Sequence, residues 1–216
     1  MSHQIAPSIL NADFLKLSEV VNMLNESEAD LIHLDIMDGV FVPNLSFGFP
    51  IISQINAVAN KPLDVHLMTV EPEKYLERYK KSGADILTVH YEACEDLAKT
   101  LKNIRQLGMK ASVSVKPATG VEVLEPFLSL LDMVLIMSVE PGYGGQSFME
   151  SSYGRIKKLR GMIDAAETGT LIEVDGGVGK DNLVSLREAG VDVFVIGTSI
   201  FRADDPAEMI RELKRL

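Results

Sequence analysis

The sequence predicts an α/β protein, one (β/α)8 barrel of a single domain over residues 1–216, and three observations carry that expectation. Eight short β-rich runs alternate with longer amphipathic stretches, and such alternation implies right-handed crossovers and a parallel sheet covered by helices. Eight units favour a closed barrel over an open doubly wound sheet, and this chain of 216 residues fits a barrel size range that begins at about 200. No shift in composition and no low-complexity linker divides the chain, so one core is expected to serve all of it.

The first run, IAPSIL (5–10), reads as an opening strand. The second, LIHLDIM (31–37), is built for burial through Leu31, Ile32, Leu34 and Ile36, yet it carries His33 and Asp35. Alternate side chains of a strand share a face, so His33, Asp35 and Met37 point one way and Leu34 and Ile36 the other. LDVHLM (63–68) is the third strand, followed by the helical pattern EPEKYLERYKKSG (71–83). ILTVH (86–90) and KASVSV (110–115) flank a second helical pattern, DLAKTLKNIRQLG (96–108). MVLIM (133–137), LIEVD (171–175) and VFVIG (193–197) complete the strands, with DNLVSLREAG (181–190) as the helix between the last two. Gly83, Gly108 and Gly190 each close a helical pattern, where a left-handed C-cap is expected. The motif G-[AV]-D-[IV], in GADI (83–86) and GVDV (190–193), marks the same helix-to-strand turn twice. After the sixth strand, SVEPGYGGQSFME (138–150) is longer than its neighbours, and long loops in compact domains are usually functional or disordered.

Composition narrows the function classes. A formal charge of −10 argues against nucleic acid and anionic membrane surfaces as partners, though a few aimed backbone N–H groups still suffice to hold a phosphate. The apolar runs are too short to span a membrane, and MSHQIAPSIL lacks the basic and apolar regions of a signal peptide. Cys94 is the single cysteine, which excludes an intramolecular disulfide and suits a reducing, cytoplasmic setting.

In a (β/α)8 barrel the carboxyl ends of the strands converge on one mouth, and chemistry happens there. The polar residues expected at that mouth are Ser8, His33, Asp35, His66, His90 and Asp175, with Met37, Met68 and Met137 beside them; His3 falls in the N-terminal tail. His33, Asp35, His66 and Asp175 form a mixed imidazole and carboxylate set suited to zinc, manganese, iron(II) or cobalt; the alternative is independent strand-end hydrogen bonds. His90 has no acidic partner in its own strand and either lines the pocket or is a satisfied core histidine. The methionines are either core filler or an adaptable apolar cap on a cavity. Gly142, Gly144 and Gly145 after the sixth strand, Gly176 and Gly177 after the seventh, and Gly197 with Thr198 after the eighth let the backbone approach an anion closely. Loops after strands seven and eight are where this fold tends to hold phosphate, so phosphate binding is expected over plain turn chemistry. Asp35 and Asp175 come from strands two and seven, so a substrate across the mouth would meet a carboxylate on each side. Inverting a carbon next to a carbonyl needs that arrangement: one base removes the α-proton, a cation stabilises the enediolate, and an acid returns a proton from the opposite face.

IAPSILNADF, HLDIMDGVFVPNLSFG, LDVHLM, MSVEPGYGGQSF and EVDGGV, in that order, resemble the signature segments of the ribulose-phosphate 3-epimerases. The resemblance implies a (β/α)8 TIM barrel, one divalent metal ion and interconversion of D-ribulose 5-phosphate and D-xylulose 5-phosphate in the pentose phosphate pathway. It places the metal ligands on His33, Asp35, His66 and Asp175, the proton acceptor on Asp35 and the donor on Asp175. It assigns substrate contacts to Ser8 and His66, and substrate and phosphate loops to Gly142, Tyr143, Gly144, Gly145, Gly176, Gly177, Gly197 and Thr198. Met37, Met68 and Met137 would enclose the enediolate, the loop from Pro141 would be a lid, and Tyr143 or Phe148 would close over the sugar. A homo-oligomer, dimer or hexamer, is implied by resemblance alone. Lys116 and Glu140 stand where asparagines are more usual, and either pair with each other or lie solvated on the rim.

The nearest rival is a hexulose-phosphate 3-epimerase acting on a substrate such as D-allulose 6-phosphate, although DGGV and GYGGQSF look more like the pentulose enzyme. A metal-dependent hydrolase would bring an H-x-H pair on the first strand, where this chain has Ser8. A non-catalytic phosphate-binding barrel would give two opposed carboxylates no purpose.

Overall fold

The computed structural model describes residues 3–216; Met1 and Ser2, the start of the stretch read for a leader, lie outside them. The eight strands are β1 (Gln4–Pro7), β2 (Ile32–Met37), β3 (Leu63–Met68), β4 (Ile86–His90), β5 (Lys110–Val115), β6 (Met133–Met137), β7 (Leu171–Asp175) and β8 (Val193–Ile196). All neighbours pair in parallel in the order β1-β8-β7-β6-β5-β4-β3-β2, and a parallel bridge from Ser8 to His33 joins β1 to β2 and closes the barrel. The expected (β/α)8 barrel is therefore the observed one. Among the described residues no helix is long and apolar enough to cross a membrane.

The crossovers are α1 (Leu17–Glu26), α2 (Phe49–Val58), α3 (Leu76–Ser82), α4 (Leu97–Gln106), α5 (Ser152–Ala166), α6 (Lys180–Ala189), the short α7 (Thr198–Phe201) and α8 (Pro206–Arg215). Local chemistry sets their ends. Asp96 caps α4 by accepting from the Lys99 N–H and Asp205 caps α8 by accepting from that of Glu208, satisfying donors that the first turn leaves free. Gly83 and Gly190 end α3 and α6 at φ 104° and 113°, the left-handed region that favours glycine. The fifth crossover departs from this scheme: Val121–Leu130 is a 3-10 helix with Pro126 inside it, a residue that donates no N–H and breaks an α-helical ladder.

Four aspartates tie the amino-terminal end of the barrel. Oδ2 of Asp30, Asp85, Asp132 and Asp192 accepts from the backbone N–H of Ile5 (2.7 Å), Leu63 (2.9 Å), Ala111 (2.8 Å) and Ile172 (2.8 Å). Each aspartate precedes an even-numbered strand and binds the start of the odd-numbered strand before it. This is the physical content of the GAD and GVD motifs, and Asp30 and Asp132 do the same work without the glycine. His3, in the N-terminal tail, is buried, with Nε2 2.9 Å from the Leu213 carbonyl and its ring edge-on to Phe194.

The main apolar core lies between sheet and helices, because both faces of a parallel barrel are covered. Inside the barrel, layers are built from alternate strands. The lowest is apolar, with Leu31, Ile86, Met133 and Val193. Above it the parallel register stacks Asp64, Ser112 and Glu173, then His33 and Thr88, all buried. This polar middle layer is the floor of the mouth.

Candidate active site at the carboxyl ends of the strands

His33 rises from the polar layer between two carboxylates. Its Nδ1 lies 2.5 Å from Asp64 Oδ2 and its Nε2 3.3 Å from Asp35 Oδ1. Ser8 donates its hydroxyl to Asp35 Oδ2 at 2.6 Å, and His66 Nδ1 stands 3.1 Å from Asp35 Oδ1. The ligand atoms of His33, Asp35, His66 and Asp175 all lie within 4.8 Å of one another, so four separated stretches deliver one group that could hold a metal ion. The residues fit a divalent cation on two grounds. The donor set of two imidazole nitrogens and two carboxylates is one that first-row metals accept. In addition, the fully buried His33 Nε2 makes no hydrogen bond, while Asp64 fixes the other ring nitrogen as carboxylates do behind metal-bound histidines.

Burial and charge drive the two opposed carboxylates apart in proton affinity. Burial raises Asp175 first and the charge of Asp35 raises it further, to about 6. Burial would also raise Asp35, but His33 and His66 outweigh it and hold Asp35 below the usual carboxylate range. On His33 burial opposes the positive form, yet Asp64 and Asp35 overcome it and leave the imidazole well above its ordinary value. Burial pulls His90 down to about 4, so it is neutral at pH 7. A pair of acids separated in this way can serve as base and acid at one pH.

Above this floor opens a cavity of about 320 Å3. Ser8, Asp35 and Asp175 meet it at one end with Met37, Met68 and Met137, all three methionines being buried. The loops after β6, β7 and β8 form its other wall, bringing in Gly142 to Gly145, Gly176, Gly177, Gly197 and Thr198. Two of these positions admit only glycine. A Cβ on Gly176 (φ +117°) would stand 2.5 Å from Val139 Cγ2, and one on Gly177 (φ +65°) 2.3 Å from the Phe148 backbone nitrogen.

A family model described as the ribulose-phosphate 3 epimerase family matches residues 4–201, from the first strand to the helix after the last. The chain belongs to that family. It is 47% identical over 208 residues to the ribulose-phosphate 3-epimerase of a Synechocystis strain, covering 95% of this chain and 90% of that protein. It is 43% identical over 212 residues to the Bacillus subtilis protein of the same name, covering 98% of each. Among solved structures, KGPDC from Streptococcus mutans superposes with a TM-score of 0.73 at 15% identity over 100% of this chain and 97% of that one, a likeness of fold alone.

In this ribulose-phosphate 3-epimerase family chain, the geometry chooses between several alternatives that the sequence left open. Lys116 does not pair with Glu140: its Nζ sits over the Phe41 ring, 3.9 Å from the centroid, while Glu140 lies exposed with no ion pair among the described residues. Phe148 packs against Tyr153 and the core instead of reaching over the cavity. Tyr143 does reach it, and its hydroxyl donates to the Pro43 carbonyl at 2.8 Å, while Asn44 donates to the Gly142 carbonyl at 2.8 Å. The loop after β6 is thus fastened to the loop after β2. His90 is buried and does not line the cavity, and its acidic partner is Glu92 in the next turn, 3.3 Å from Nδ1.

Asp64, Glu173 and Glu92 went unnoticed in the sequence. Asp64 and Glu173 stand two residues before His66 and Asp175, so the alternation that pairs His33 with Asp35 also turns them inward. The patterns D-x-H and E-x-D carried that signal.

Proposed function

We infer that the protein is a 3-epimerase that interconverts D-ribulose 5-phosphate and D-xylulose 5-phosphate. The observation that carries this reading is the pair of carboxylates Asp35 and Asp175, on opposite sides of one mouth and of opposite proton affinity, in a chain of this family. Asp35, ionised and positioned by Ser8, takes the C3 proton of ribulose 5-phosphate from one face. Asp175, whose affinity for a proton burial raises, returns one from the other face. The roles exchange in the reverse direction. His33, Asp35, His66 and Asp175 would hold one divalent metal ion (zinc, manganese, iron(II) or cobalt), which would supply positive charge beside the oxygens that become an enediolate.

Met37, Met68 and Met137 surround the reacting carbons with apolar surface and exclude water, which strengthens every charge interaction inside. The backbone of Gly176, Gly177, Gly197 and Thr198 receives the phosphate, and the lid carrying Gly142, Tyr143, Gly144 and Gly145 covers the sugar. The protein works in the cytoplasm as a homo-oligomer, on this reading.

Incubation of metal-loaded protein with D-ribulose 5-phosphate in heavy water, followed by proton NMR, tests the proposal. Xylulose 5-phosphate with deuterium at C3 is the expected product, with D-allulose 6-phosphate turning over much more slowly. Faster conversion of the hexulose would move the substrate to the longer sugar and keep the chemistry. No exchange at C3 of either sugar would overturn the epimerase reading.

A further inference from the structure

His90 and Glu92 have no part in the proton transfer described above, yet they are joined to it by hydrogen bonds. His66 Nε2 lies 2.9 Å from His90 Nε2, and His90 Nδ1 lies 3.3 Å from Glu92 Oε2. Glu92 is itself held from the side: its Oε1 accepts from the Lys116 backbone N–H at 2.9 Å and from the Thr119 hydroxyl. The Phe41 ring covers His90, with 4.7 Å between centroids. His90 is fully buried.

The protons along this chain follow by elimination. An ionised carboxylate only accepts, so His90 Nδ1 carries a hydrogen and donates it to Glu92. A neutral imidazole has one N–H, so His90 Nε2 is an acceptor and the hydrogen between the two rings belongs to His66 Nε2. His66 Nδ1 is then the nitrogen left to face Asp35 Oδ1, 3.1 Å away, and the other ligand atoms, a placement in which a cation between them takes its lone pair. The opposite assignment would set the lone pair of His90 Nδ1 against the Glu92 carboxylate.

We propose that Glu92 and His90 are positioning residues that hold His66 in its Nε2–H tautomer and so present Nδ1 to a divalent cation. The proposal rests on the reading of His33, Asp35, His66 and Asp175 as a metal site. It makes His66 the counterpart of His33: each ligand ring is fixed from behind, one by Asp64 directly and the other by a carboxylate acting through a second imidazole. Partners of this kind behind metal ligands typically change metal affinity by 10–100-fold when removed.

The test combines zinc(II) affinity, measured against a competing chelator, with two-bond proton–nitrogen NMR correlations of the histidine rings. In the zinc-loaded wild-type protein His66 should show a protonated Nε2 and no proton on Nδ1. His90→Leu and Glu92→Ala should each weaken zinc binding about 10–100-fold, and His90→Gln, whose amide oxygen can accept from His66 Nε2, should recover much of the loss. Circular dichroism checks that each variant is folded; if His90→Leu does not fold, Glu92→Ala at the edge of the barrel decides. Zinc affinity within about threefold of wild type in a folded Glu92→Ala, or a proton on His66 Nδ1 in the zinc-loaded wild-type protein, would overturn the proposal while leaving the metal site intact. Failure of the wild-type protein to bind zinc, manganese or cobalt would instead overturn the metal reading itself.

Discussion

Nδ1 of His33 lies 2.5 Å from Oδ2 of Asp64, and both side chains are fully buried inside the barrel. Glu173 approaches the same histidine nitrogen at 3.9 Å. Burial first, then the neighbouring Asp64, push Glu173 well above the usual carboxylate range. The relationship orients the ligand nitrogen of His33 toward Asp35, and it concentrates charge where burial is costly. Asp64→Leu leaves a buried imidazole with no partner on Nδ1 and should destabilise the protein by about 3–5 kcal/mol. Asp64→Asn, which keeps an acceptor, should cost less stability but still weaken divalent-metal binding by about 10–100-fold. Urea denaturation and metal titration of the two variants separate these effects.

Asp175 gives a pH dependence whose sign is fixed. Its affinity for a proton is raised from an ordinary value of 3.8 to about 6, by burial and then by Asp35, so the folded state binds more protons than the unfolded one in that interval. Stability of the chelated protein therefore receives a penalty from Asp175 that is absent below about pH 4 and complete above about pH 6. Asp175→Asn, which cannot ionise, should gain on the wild type across that window by up to about 3 kcal/mol. Denaturation curves of both chelated proteins from acid to neutral pH measure the difference. A bound divalent cation should abolish it, because positive charge offsets the ionised carboxylate.

The aspartates at the far end of the barrel should affect stability without touching chemistry. Asp192 accepts from the Ile172 N–H and pairs with Arg160, remote from the mouth. Asp192→Ala should lose about 1–3 kcal/mol by leaving a strand-end donor unsatisfied. The turnover number per folded molecule should stay at the wild-type value when measured well below the melting temperature.

The lid is fastened by two backbone-directed hydrogen bonds, from Asn44 to Gly142 and from Tyr143 to Pro43. Asn44→Ala combined with Tyr143→Phe should speed amide hydrogen exchange in residues 141–147 and raise KM severalfold. Stability should change by less than about 2 kcal/mol, since each bond contributes about 1 net.

Much of this architecture was legible in the chain because its strands carry two buried faces. All eight β-rich runs became strands, and β3 to β7 match their expected limits. The first strand stops at Pro7, three residues early: Ser8 makes only an isolated bridge, and Ile9–Asn11 turns into a 3-10 helix. The crossover over Val121–Leu130 escaped notice because Pro126 disrupts the helical period that would have marked it. The ligand set stood out because histidines are few, whereas Asp64 and Glu173 look like ordinary solvent-facing acids until both faces of the sheet are known to be covered. Glu92 was hidden for another reason. Its partner lies two residues back across a strand end, where the turn's geometry and not the strand's alternation decides which groups meet.

The central claim is that Asp35 and Asp175 each serve one face of the sugar, and hydrogen exchange separated from inversion tests it most directly. Metal-loaded Asp35→Asn and Asp175→Asn, with metal content verified, would each be incubated in heavy water with either pentulose phosphate. The account predicts that Asp175→Asn washes deuterium into C3 of ribulose 5-phosphate without forming xylulose 5-phosphate, and that Asp35→Asn does the reverse. Near-normal inversion by either variant, or exchange of the same epimer by both, would contradict the two-carboxylate account.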